Sequence, residues 1–510
     1  MDFLTRLASQ FLVPRQRKIQ LFAQQTDDIQ RKQLNALLHK AKDTEWGRMY
    51  DFRSIRTYED FSGRLPVQQY DDIKPYVMRM INGEKNVLWP SVVKWYAKSS
   101  GTTNDKSKFI PVTPEMLRGC QYKGGFDCVA IYLRNNPESR FFSRKGLILG
   151  GSHTLSPLNQ RAHYGDLSAV LLQNLPSLIN LVRVPKKRII LMDEWESKIE
   201  AIVNSTWNED VNSISGVPSW MLVLIKAILQ KTGKKCLTDV WPNLEVFFHG
   251  GISFEPYRDQ YATLIPSDKM HYMETYNASE GFFGIQDDPS DPSMLMMPDY
   301  GIFYEFVPIN ELSDANPTFL PLESVETGKN YAMAITTSGG LWRYVIGDTV
   351  RFTSLFPHKF VISGRTKHYI NAFGEELMVD NAEKAISLTC RETGAKVKEY
   401  TVAPLYMLDS AKGLHQWFIE FEKKPASMTG FEALLDKHLQ ELNSDYEAKR
   451  YKGISLQPLK IVVSCEDVFY NWLKQKGKLG GQHKIPRLSN DRGFIEELIA
   501  LNHPSYSSVK

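Results

Sequence analysis

Cysteine is scarce in this chain of 510 residues, which holds five cysteines and no C-x-x-C pair. An odd and widely spaced set argues against a disulfide framework or a zinc ribbon and fits a reducing compartment. Histidine is also sparse, and the 11 histidines include no H-E-x-x-H motif and no tight cluster with cysteine. That pattern excludes the ligand spacing of a metallohydrolase. The cysteines are Cys120, Cys128, Cys236, Cys390 and Cys465.

A strong charge of either sign is absent as well. The 62 basic and 58 acidic side chains leave a net charge of +4, so no global field predicts a nucleic acid or an anionic membrane as a partner. No uncharged apolar run approaches the roughly 18 residues that a bilayer requires. The segment from Met1 to Arg15 lacks a signal-peptide pattern. We expect a cytoplasmic protein, monomeric or weakly dimeric, in which that segment forms an amphipathic docking helix.

Apolar residues are plentiful enough for a large core, since 42% of the chain is hydrophobic and 24% is charged. Helical periodicity covers residues 16–51, and short helices punctuated by Pro66 and Pro75 follow as far as Met80. Beyond this lead-in, β-branched and aromatic runs alternate with helix-length segments, which favours an α/β fold with substantial sheet. The predicted strands are 92–96, 147–149, 188–192, 246–249, 301–307 and 331–336, and the predicted helices are 114–134, 167–181 and 217–231.

A second pattern of strands and helices begins near Gly364. Its predicted helices cover 378–393 and 430–442, and its predicted strands cover 397–404, 416–421 and 461–464. The glycine-rich, basic stretch from Lys474 to Arg492 indicates a loop and not a packed element. We place a domain boundary at about residue 365, which gives a large N-terminal domain and a smaller α+β C-terminal domain.

The first candidate for chemistry is a polar loop between two short strands, from Ser99 to Lys108. Four hydroxyl side chains around a glycine, followed by lysines, provide N–H and O–H donors and positive charge that can wrap a polyphosphate. The G-x-x-x-x-G-K-[ST] pattern of a Walker A motif is absent. An ordinary polar turn is the alternative.

Two further candidates contain a carboxylate beside glycine. In the segment from Tyr276 to Gly284, Glu280 lies between serine and glycine, which suits a Mg²⁺ ion that bridges to phosphate oxygens, and Tyr276 can stack on a base. The alternative there is a core tyrosine beside a surface glutamate. In the segment 340–351, a strand-like run ends at a Gly-Asp turn, where Asp348 can accept both ribose hydroxyls. A plain β-turn is the alternative to that site.

The fourth candidate is Lys484, on a glycine-flexible loop between Lys478 and Arg487. A point-charge ammonium on such a loop suits the neutralisation of a carboxylate or an α-phosphate in a transition state. A solvated basic loop is the alternative.

Taken in order, six segments resemble the motifs of adenylate-forming enzymes, and more closely those of the auxin-responsive (Gretchen Hagen) acyl acid amido synthetases. The lead-in from Tyr58 to Ile73 matches as well, so the resemblance covers nearly the whole chain. The segments are Ser99-Ser-Gly-Thr-Thr103, His249-Gly-Gly251, Tyr276-Asn-Ala-Ser-Glu280-Gly281, Tyr344-Val-Ile-Gly-Asp348, Gly364-Arg365 and Gln482-His-Lys-Ile-Pro-Arg487.

The resemblance implies a reaction in two steps. A carboxylic acid attacks the α-phosphate of Mg·ATP to give an acyl-adenylate and pyrophosphate, and the amine of an amino acid then displaces AMP to form an amide. It also implies an adenylate-forming domain over residues 1–365, with multiple sheets and packed helices that bind ATP and the acid. Residues 366–510 would form a mobile lid domain that carries the catalytic lysine.

The phosphate loop takes its role from the resemblance. Ser99, Ser100, Gly101, Thr102 and Thr103 would hold the phosphates of ATP. The loop departs from the family at Asp105, where the family usually has glycine, because a carboxylate would repel phosphate. We expect this side chain to point away from the phosphates or to pair with Lys106 or Lys108.

The remaining roles follow the order of the motifs along the chain. The resemblance assigns Gly250, Gly251 and Tyr276 to adenine, Ser279 to the α-phosphate region, Glu280 to Mg²⁺, Asp348 with Arg365 to ribose and the hinge, and Lys484 to the α-phosphate and the acyl oxygen during adenylation.

Two other functions stay open. An acyl-CoA ligase would use the same first step and transfer the acyl group to a thiol, whereas a nucleotide-binding protein of the same fold would not turn over; Glu280 and Lys484, which such a protein could lose, are both present. The helix predicted over 114–134 is a candidate wall for the acid pocket through Phe126, Val129, Ile131 and Tyr132, and plain core is its alternative.

Overall fold

In the computed structural model of the chain, the described residues fold into two compact units. The first unit holds residues up to 346 together with 351–361, and the second holds 347–350 and the described residues from 362 on. Within the ranges given next, no helix has both the length and the apolar character needed to cross a membrane. The described residues are 2–99, 108–150, 156–175, 179, 182–192, 194–251, 254, 257–312, 314, 316–366, 369–370, 372, 375, 377–406, 413–443, 446–447, 450, 456–476 and 485–502.

Helices lead the chain into the first unit, as the periodicity predicts. Asp2 caps the first of them by accepting the backbone N–H of Thr5 at 3.0 Å, and a capping box of Thr57 and Asp60 starts the fourth. The helices are α1 (Phe3–Gln20), α2 (Phe22–Ala41), α3 (Glu45–Met49), α4 (Tyr58–Arg64), α5 (Tyr70–Ile81), α6 (Pro114–Met116), α7 (Tyr122–Asn135), α8 (Leu167–Asn174), α9 (Lys187–Ile190), α10 (Trp195–Thr206), α11 (Pro218–Thr232) and α12 (Arg258–Leu264).

The first sixteen strands of the chain form two sheets. One sheet has four strands in the order β2-β1-β5-β4, and the other has twelve in the order β13-β12-β14-β15-β16-β11-β10-β9-β8-β7-β3-β6. The strands are β1 (Trp95–Ser99), β2 (Lys108–Val112), β3 (Lys145–Ile148), β4 (Ser156–Pro157), β5 (His163–Gly165), β6 (Arg183–Val184), β7 (Val211–Gly216), β8 (Val246–Gly250), β9 (His271–Ala278), β10 (Gly281–Ile285), β11 (Met294–Met296), β12 (Ile302–Pro308), β13 (Leu320–Pro321), β14 (Asn330–Thr337), β15 (Tyr344–Leu355) and β16 (His358–Arg365).

Parallel pairing positions the site in the large sheet. Strands β7, β8 and β9 run parallel, and Gly250 lies opposite Thr275 in the register of the last two. A core that includes the buried Trp241, Phe247 and Tyr261 packs against these strands. Because the carboxyl ends of parallel strands meet at one edge of a sheet, β8 and β9 both end where ligands bind in open α/β sheets.

The second unit has the α+β pattern that the sequence predicts. Strands β17 (Lys396–Tyr406) and β18 (Gly413–Lys423) pair antiparallel, and β19 (Lys460–Val463) adds in parallel beside β18. Its helices are α13 (Val379–Thr393), α14 (Met428–Leu442), α15 (Val468–Gln475) and α16 (Gly493–Leu501).

Several predicted elements differ from the structure in the first unit. The segment predicted as a strand over 188–192 forms the helical turn α9, in which the carbonyl of Lys186 accepts the N–H of Ile189 at 2.9 Å, so local helical hydrogen bonds outweigh the β-propensity of the sequence. The helix predicted over 167–181 ends at Asn174, because Leu175 precedes a proline and is extended. Strand β1 begins at Trp95 and not at position 92.

The breaks predicted at Pro75 and at Gly347 are also wrong. Pro75 does not punctuate a helix, since α5 continues through it on buried residues such as Val77 and Met80. The run before Asp348 does not end at a turn, because β15 continues to Leu355 and Gly347 bends it with a φ of +87°.

The predicted loop over 474–492 is partly wrong. Lys474 belongs to α15, and residues 485–489 pack within the second unit, with Leu488 fully buried and in a bridge with Val402. The apolar side chains of Ile485 and Leu488 supply core contacts that the surrounding glycines and lysines obscure in the sequence.

Candidate active site

Two glycines shape the end of β8, as the motif predicts. A Cβ atom on Gly250 would lie 2.2 Å from the carbonyl oxygen of Thr275 on the neighbouring strand, so only glycine fits there without a shift of the backbone. Gly251 has a φ of +85°, which a side chain would strain. The hydroxyl of Thr275 donates to the carbonyl of His249 at 3.0 Å and fixes the two strand ends together. Glycine at position 250 therefore lets the ends of β8 and β9 pack closely together.

His249 precedes these glycines and is buried. Its ring stacks on that of Phe254 with centroids 4.3 Å apart. Burial, assisted by the positive charge of Arg258, lowers the pKa of His249 to about 3, so the imidazole is neutral at physiological pH. Its Nδ1 atom has no hydrogen-bond partner among the described residues.

Ser279 and Glu280 form the two-residue connection between β9 and β10, because Ala278 pairs directly with Gly281. Both side chains are buried, at 3% and 7% exposure. The surface glutamate that was the alternative to a metal ligand is therefore not what the fold contains. The hydroxyl of Ser279 has no hydrogen-bond partner in the described part of the chain. A buried hydroxyl in that state fits contact with a bound polar ligand.

Tyr276 lies on β9 just before this turn. Its ring is 5% exposed and packs edge-on against Phe283 with centroids 4.8 Å apart. The ring is part of an aromatic cluster in the sheet, which was the alternative to stacking on a base. Its assignment to adenine stays a prediction.

The carboxylate of Glu280 fits a magnesium ion that is held mainly by phosphates and water. Among the described residues, no three histidine, cysteine, aspartate or glutamate side chains converge as a metal site. Mg²⁺ usually takes only one or two protein carboxylates in nucleotide sites and keeps several waters. One buried carboxylate beside an unpaired hydroxyl meets that requirement.

Asp348 and Arg365 are brought together in the second unit. The Nε atom of Arg365 lies 2.8 Å from Oδ1 of Asp348. The N–H of Thr366 donates to the carbonyl of Gly347 at 2.9 Å, which ties the end of β16 to the bend in β15. The two residues predicted for ribose and hinge therefore form one ion pair.

The phosphate loop is described only at its ends. Strands β1 and β2 pair antiparallel with Ser99 opposite Lys108, which agrees with the predicted strand–loop–strand. Lys108 lies with its Nζ atom 3.4 Å from the hydroxyl of Tyr344. The predicted residues Ser100, Gly101, Thr102, Thr103, Asp105, Lys106 and Lys484 lie outside the described residues.

Sequence reasoning missed a π-helical turn, Leu117–Gln121, between α6 and α7. The side-chain amide of Gln121 donates to the carbonyl of Ala278 at 3.2 Å, and the N–H of Phe282 donates to Sγ of Cys120 at 3.1 Å. Helical periodicity carries no signal for these contacts, because the extra residue of a π-turn breaks the 3.6-residue repeat.

The predicted wall of the acid pocket divides between core and surface. Ile131 and Tyr132 are buried in the core, whereas Phe126 is 48% exposed. The plain-core alternative therefore describes this stripe better. The part of the same helical region that faces the Ser279–Glu280 turn is the π-turn.

Comparison with known proteins gives matches along the chain. Models of the GH3 family match its N-terminal domain at residues 15–270, its central domain at 295–365 and its C-terminal domain at 380–493. The indole-3-acetic acid-amido synthetase GH3.3 of Arabidopsis thaliana is 24% identical, over 94% of this chain and 92% of the relative.

Solved structures show the same fold. The GH3.15 acyl acid amido synthetase aligns with a TM-score of 0.75 at 19% identity, over 94% of each chain. A 2-hydroxyisobutyryl-CoA ligase in complex with its acyl-AMP aligns with a TM-score of 0.58 at 13% identity, over 93% of this chain and 90% of the ligase. The predicted α/β adenylate-forming fold is confirmed.

Family membership rests on the extent of these matches. The N-terminal family model alone covers half of the 510 residues, and the three models follow one another in order along most of the chain. The resemblance that the motifs predict is confirmed. The chain belongs to the GH3 family.

Proposed function

We propose that this chain is an ATP-dependent acyl acid amido synthetase, which adenylates a carboxylic acid and transfers the acyl group to the amine of an amino acid. The observation that carries the proposal is the buried Ser279–Glu280 turn at the edge where β8 and β9 end, in a chain of the GH3 family. The similarity to amido synthetases over nearly the full length confirms the predicted class, a ligase that forms a carbon–nitrogen bond.

In the first step, the described residues of the first unit bind and orient ATP. The glycines 250 and 251 shape the strand end beside the proposed adenine site, and the unpaired hydroxyl of Ser279 donates to an oxygen of the α-phosphate. Glu280 would hold Mg²⁺, which would supply charge neutralisation at the phosphates. The acid's carboxylate oxygen attacks the α-phosphorus, the bond to the bridging oxygen breaks, and pyrophosphate leaves.

In the second step, the amine nitrogen of the amino acid attacks the acyl carbon and loses a proton, and AMP leaves with the former carboxylate oxygen.

Further residues take the roles that the family resemblance implies. Lys484 is proposed as the cation at the α-phosphate and acyl oxygen during adenylation, and the loop of Ser99 to Thr103 is proposed as the phosphate clamp. Asp348 is proposed to accept the ribose hydroxyls, with Arg365 orienting its carboxylate through their ion pair. We also propose a domain boundary at about residue 365, a C-terminal domain that serves as a lid, and a cytoplasmic location.

Product identification tests the proposal directly. Purified protein would be incubated with Mg·ATP, a panel of carboxylic acids, and either mixed amino acids or CoA, and the products identified by mass spectrometry. AMP with an N-acyl amino acid is the expected result. AMP with an acyl-CoA would move the chain to the CoA ligases, and ADP would refute adenylation.

Two variants test the proposed residues. We expect Glu280→Ala to raise the Mg²⁺ concentration needed for half-maximal acid-dependent pyrophosphate exchange, because the one buried carboxylate of the turn is lost. We expect Lys484→Ala to abolish most of this exchange while ATP binding survives. An unchanged metal titration would remove Glu280 from the site, and near-normal exchange would remove Lys484 from the mechanism.

A further inference from the structure

The π-helical turn Leu117–Gln121 contacts the hairpin that carries Ser279 and Glu280 through a hydrogen bond. We infer that Gln121 is a positioning residue, which fixes this turn in the geometry that binds Mg²⁺ and the α-phosphate. The inference rests on the proposed function and extends it to a residue that no motif includes.

Two neighbouring side chains of the π-turn hold the hairpin on both sides of its connection. The amide of Gln121 donates to the carbonyl of Ala278, one residue before Ser279, at 3.2 Å. The N–H of Phe282, two residues after Glu280, donates to Sγ of Cys120 at 3.1 Å. In a regular α-helix, adjacent side chains point about 100° apart, so the wider π-turn allows both to reach one hairpin.

Packing leaves this contact little freedom. Gln121 is 3% exposed, and a Cβ atom on Gly124 in the next turn would lie 2.4 Å from the ring of Phe282. The helix and the hairpin are therefore already at their closest approach. A glutamine in such a place costs desolvation energy, which an apolar side chain would avoid. Its amide oxygen has no partner among the described residues, so the donor to Ala278 is the one satisfied half of the group.

Loss of the amide donor should affect the site more than the fold. Without it, the carbonyl of Ala278 loses this hydrogen bond, and the turn can move away from the position in which Glu280 and Ser279 meet the metal and the phosphate. Changes in groups that orient a metal ligand typically cost about 10-fold to 100-fold in metal affinity or activity.

The test compares Gln121→Met with Arg118→Ala, which alters an exposed side chain of the same π-turn. Isothermal titration calorimetry would give the affinity for Mg·ATP and its dependence on Mg²⁺, and pyrophosphate exchange would give kcat and KM. We expect Gln121→Met to weaken Mg·ATP binding and raise the Mg²⁺ half-saturation by about 10-fold or more, and Arg118→Ala to match the wild type. A merely structural role would lower the fraction of active protein and leave the Mg²⁺ half-saturation unchanged, which would overturn the inference.

Two provisions keep the test decisive. If Gln121→Met fails to fold, Gln121→Leu, which also lacks the N–H donor and carries no charge, takes its place. Calorimetry needs no knowledge of the acid, so the two ideas can fail separately. Wild-type protein that binds Mg·ATP but forms no acyl product refutes the proposed function, whereas Gln121 is still judged by the Mg²⁺ dependence of binding. Wild-type protein that does not bind Mg·ATP overturns both.

Discussion

At the scale of single residues, glycine decides how closely the end of β8 can approach β9. Gly250 faces the carbonyl of Thr275 across the strand pair, and Gly251 adopts a left-handed conformation. A neutral, buried His249 precedes them, so this strand end contributes no charge from that side chain. The chemistry at this edge therefore depends on backbone shape and on the neighbouring Ser279–Glu280 turn.

Replacing Gly250 with alanine should damage the site strongly. The added Cβ would lie 2.2 Å from a backbone oxygen, which cannot move without disturbing β9. We expect Gly250→Ala to lower the free energy of unfolding by about 1–3 kcal/mol and to reduce kcat/KM for ATP by about 100-fold, as a misplacement near 1 Å can do. Urea unfolding and steady-state kinetics would measure both.

Gly63→Ala is the matched control for that change. Gly63 is exposed in α4, and nothing lies within 4 Å of its Cβ position. We expect this variant to be about 0.5–1 kcal/mol more stable, because alanine favours a helix. Equal kinetic constants for Gly250→Ala and wild type would show that the strand end does not shape the nucleotide site.

At the scale of elements, the segment 485–489 serves as an anchor within the second unit. The N–H of Val402 donates to the carbonyl of Arg487 at 2.9 Å, and the N–H of Ser489 donates back to the carbonyl of Val402 at 3.1 Å. Arg487 also pairs with Glu399 and lies over the ring of Tyr400, 4.6 Å from its centroid. The chain is thus held on β17 directly after the proposed catalytic Lys484.

The hydroxyl of Thr401 tests this anchor, because it is buried and donates to the carbonyl of Pro486 at 2.6 Å. We expect Thr401→Val to cost about 1 kcal/mol of stability and to lower kcat for pyrophosphate exchange about 10-fold, with little change in ATP affinity. Thr429→Val, at an exposed threonine of α14, is the control. Exchange at the wild-type rate in Thr401→Val would mean that this anchor does not position Lys484.

At the scale of the whole molecule, each compact unit has its own core. In the first unit, a charge network fastens α1 to the body. Arg15 lies 2.5 Å from Asp127 and 2.6 Å from Asp299, and both carboxylates are buried. Burial alone would raise the pKa of Asp299, but the hydrogen bonds and charges of Arg15 and Lys123 lower it to about 2.

Removal of Arg15 should therefore destabilise one unit selectively. We expect calorimetry to resolve two unfolding transitions, and Arg15→Ala to shift the one that Mg·ATP stabilises. The expected loss is about 3 kcal/mol, because the buried Asp127 and Asp299 lose the guanidinium that they share, although Lys123 still pairs with Asp299. Arg31→Ala removes an exposed pair with Asp28 and should change stability by about 0.5 kcal/mol or less. A single transition, or equal effects of the two variants, would contradict this division of stability.

The sequence predicted the helical lead-in, most strands and the order of motifs, because these depend on local periodicity and on residue types at fixed spacing. It failed at α9, where a local helical turn replaces the predicted strand, and at the end of α8, where a following proline stops the helix. The stripe proposed as a wall of the acid pocket stays a prediction, and its apolar side chains divide between core and solvent, as Ile131 and Phe126 do.

The sequence by itself determined the family, the α/β class and the residues that could carry charge or bind a metal, since these follow from residue chemistry and motif order. Only the tertiary structure decided that Glu280 is buried, that the hydroxyl of Ser279 has no partner among the described residues, and that Gln121 holds Ala278. Gln121 and Ala278 lie 157 positions apart, and no local pattern encodes such a contact. Burial and long-range pairing arise when the chain folds and brings distant segments together.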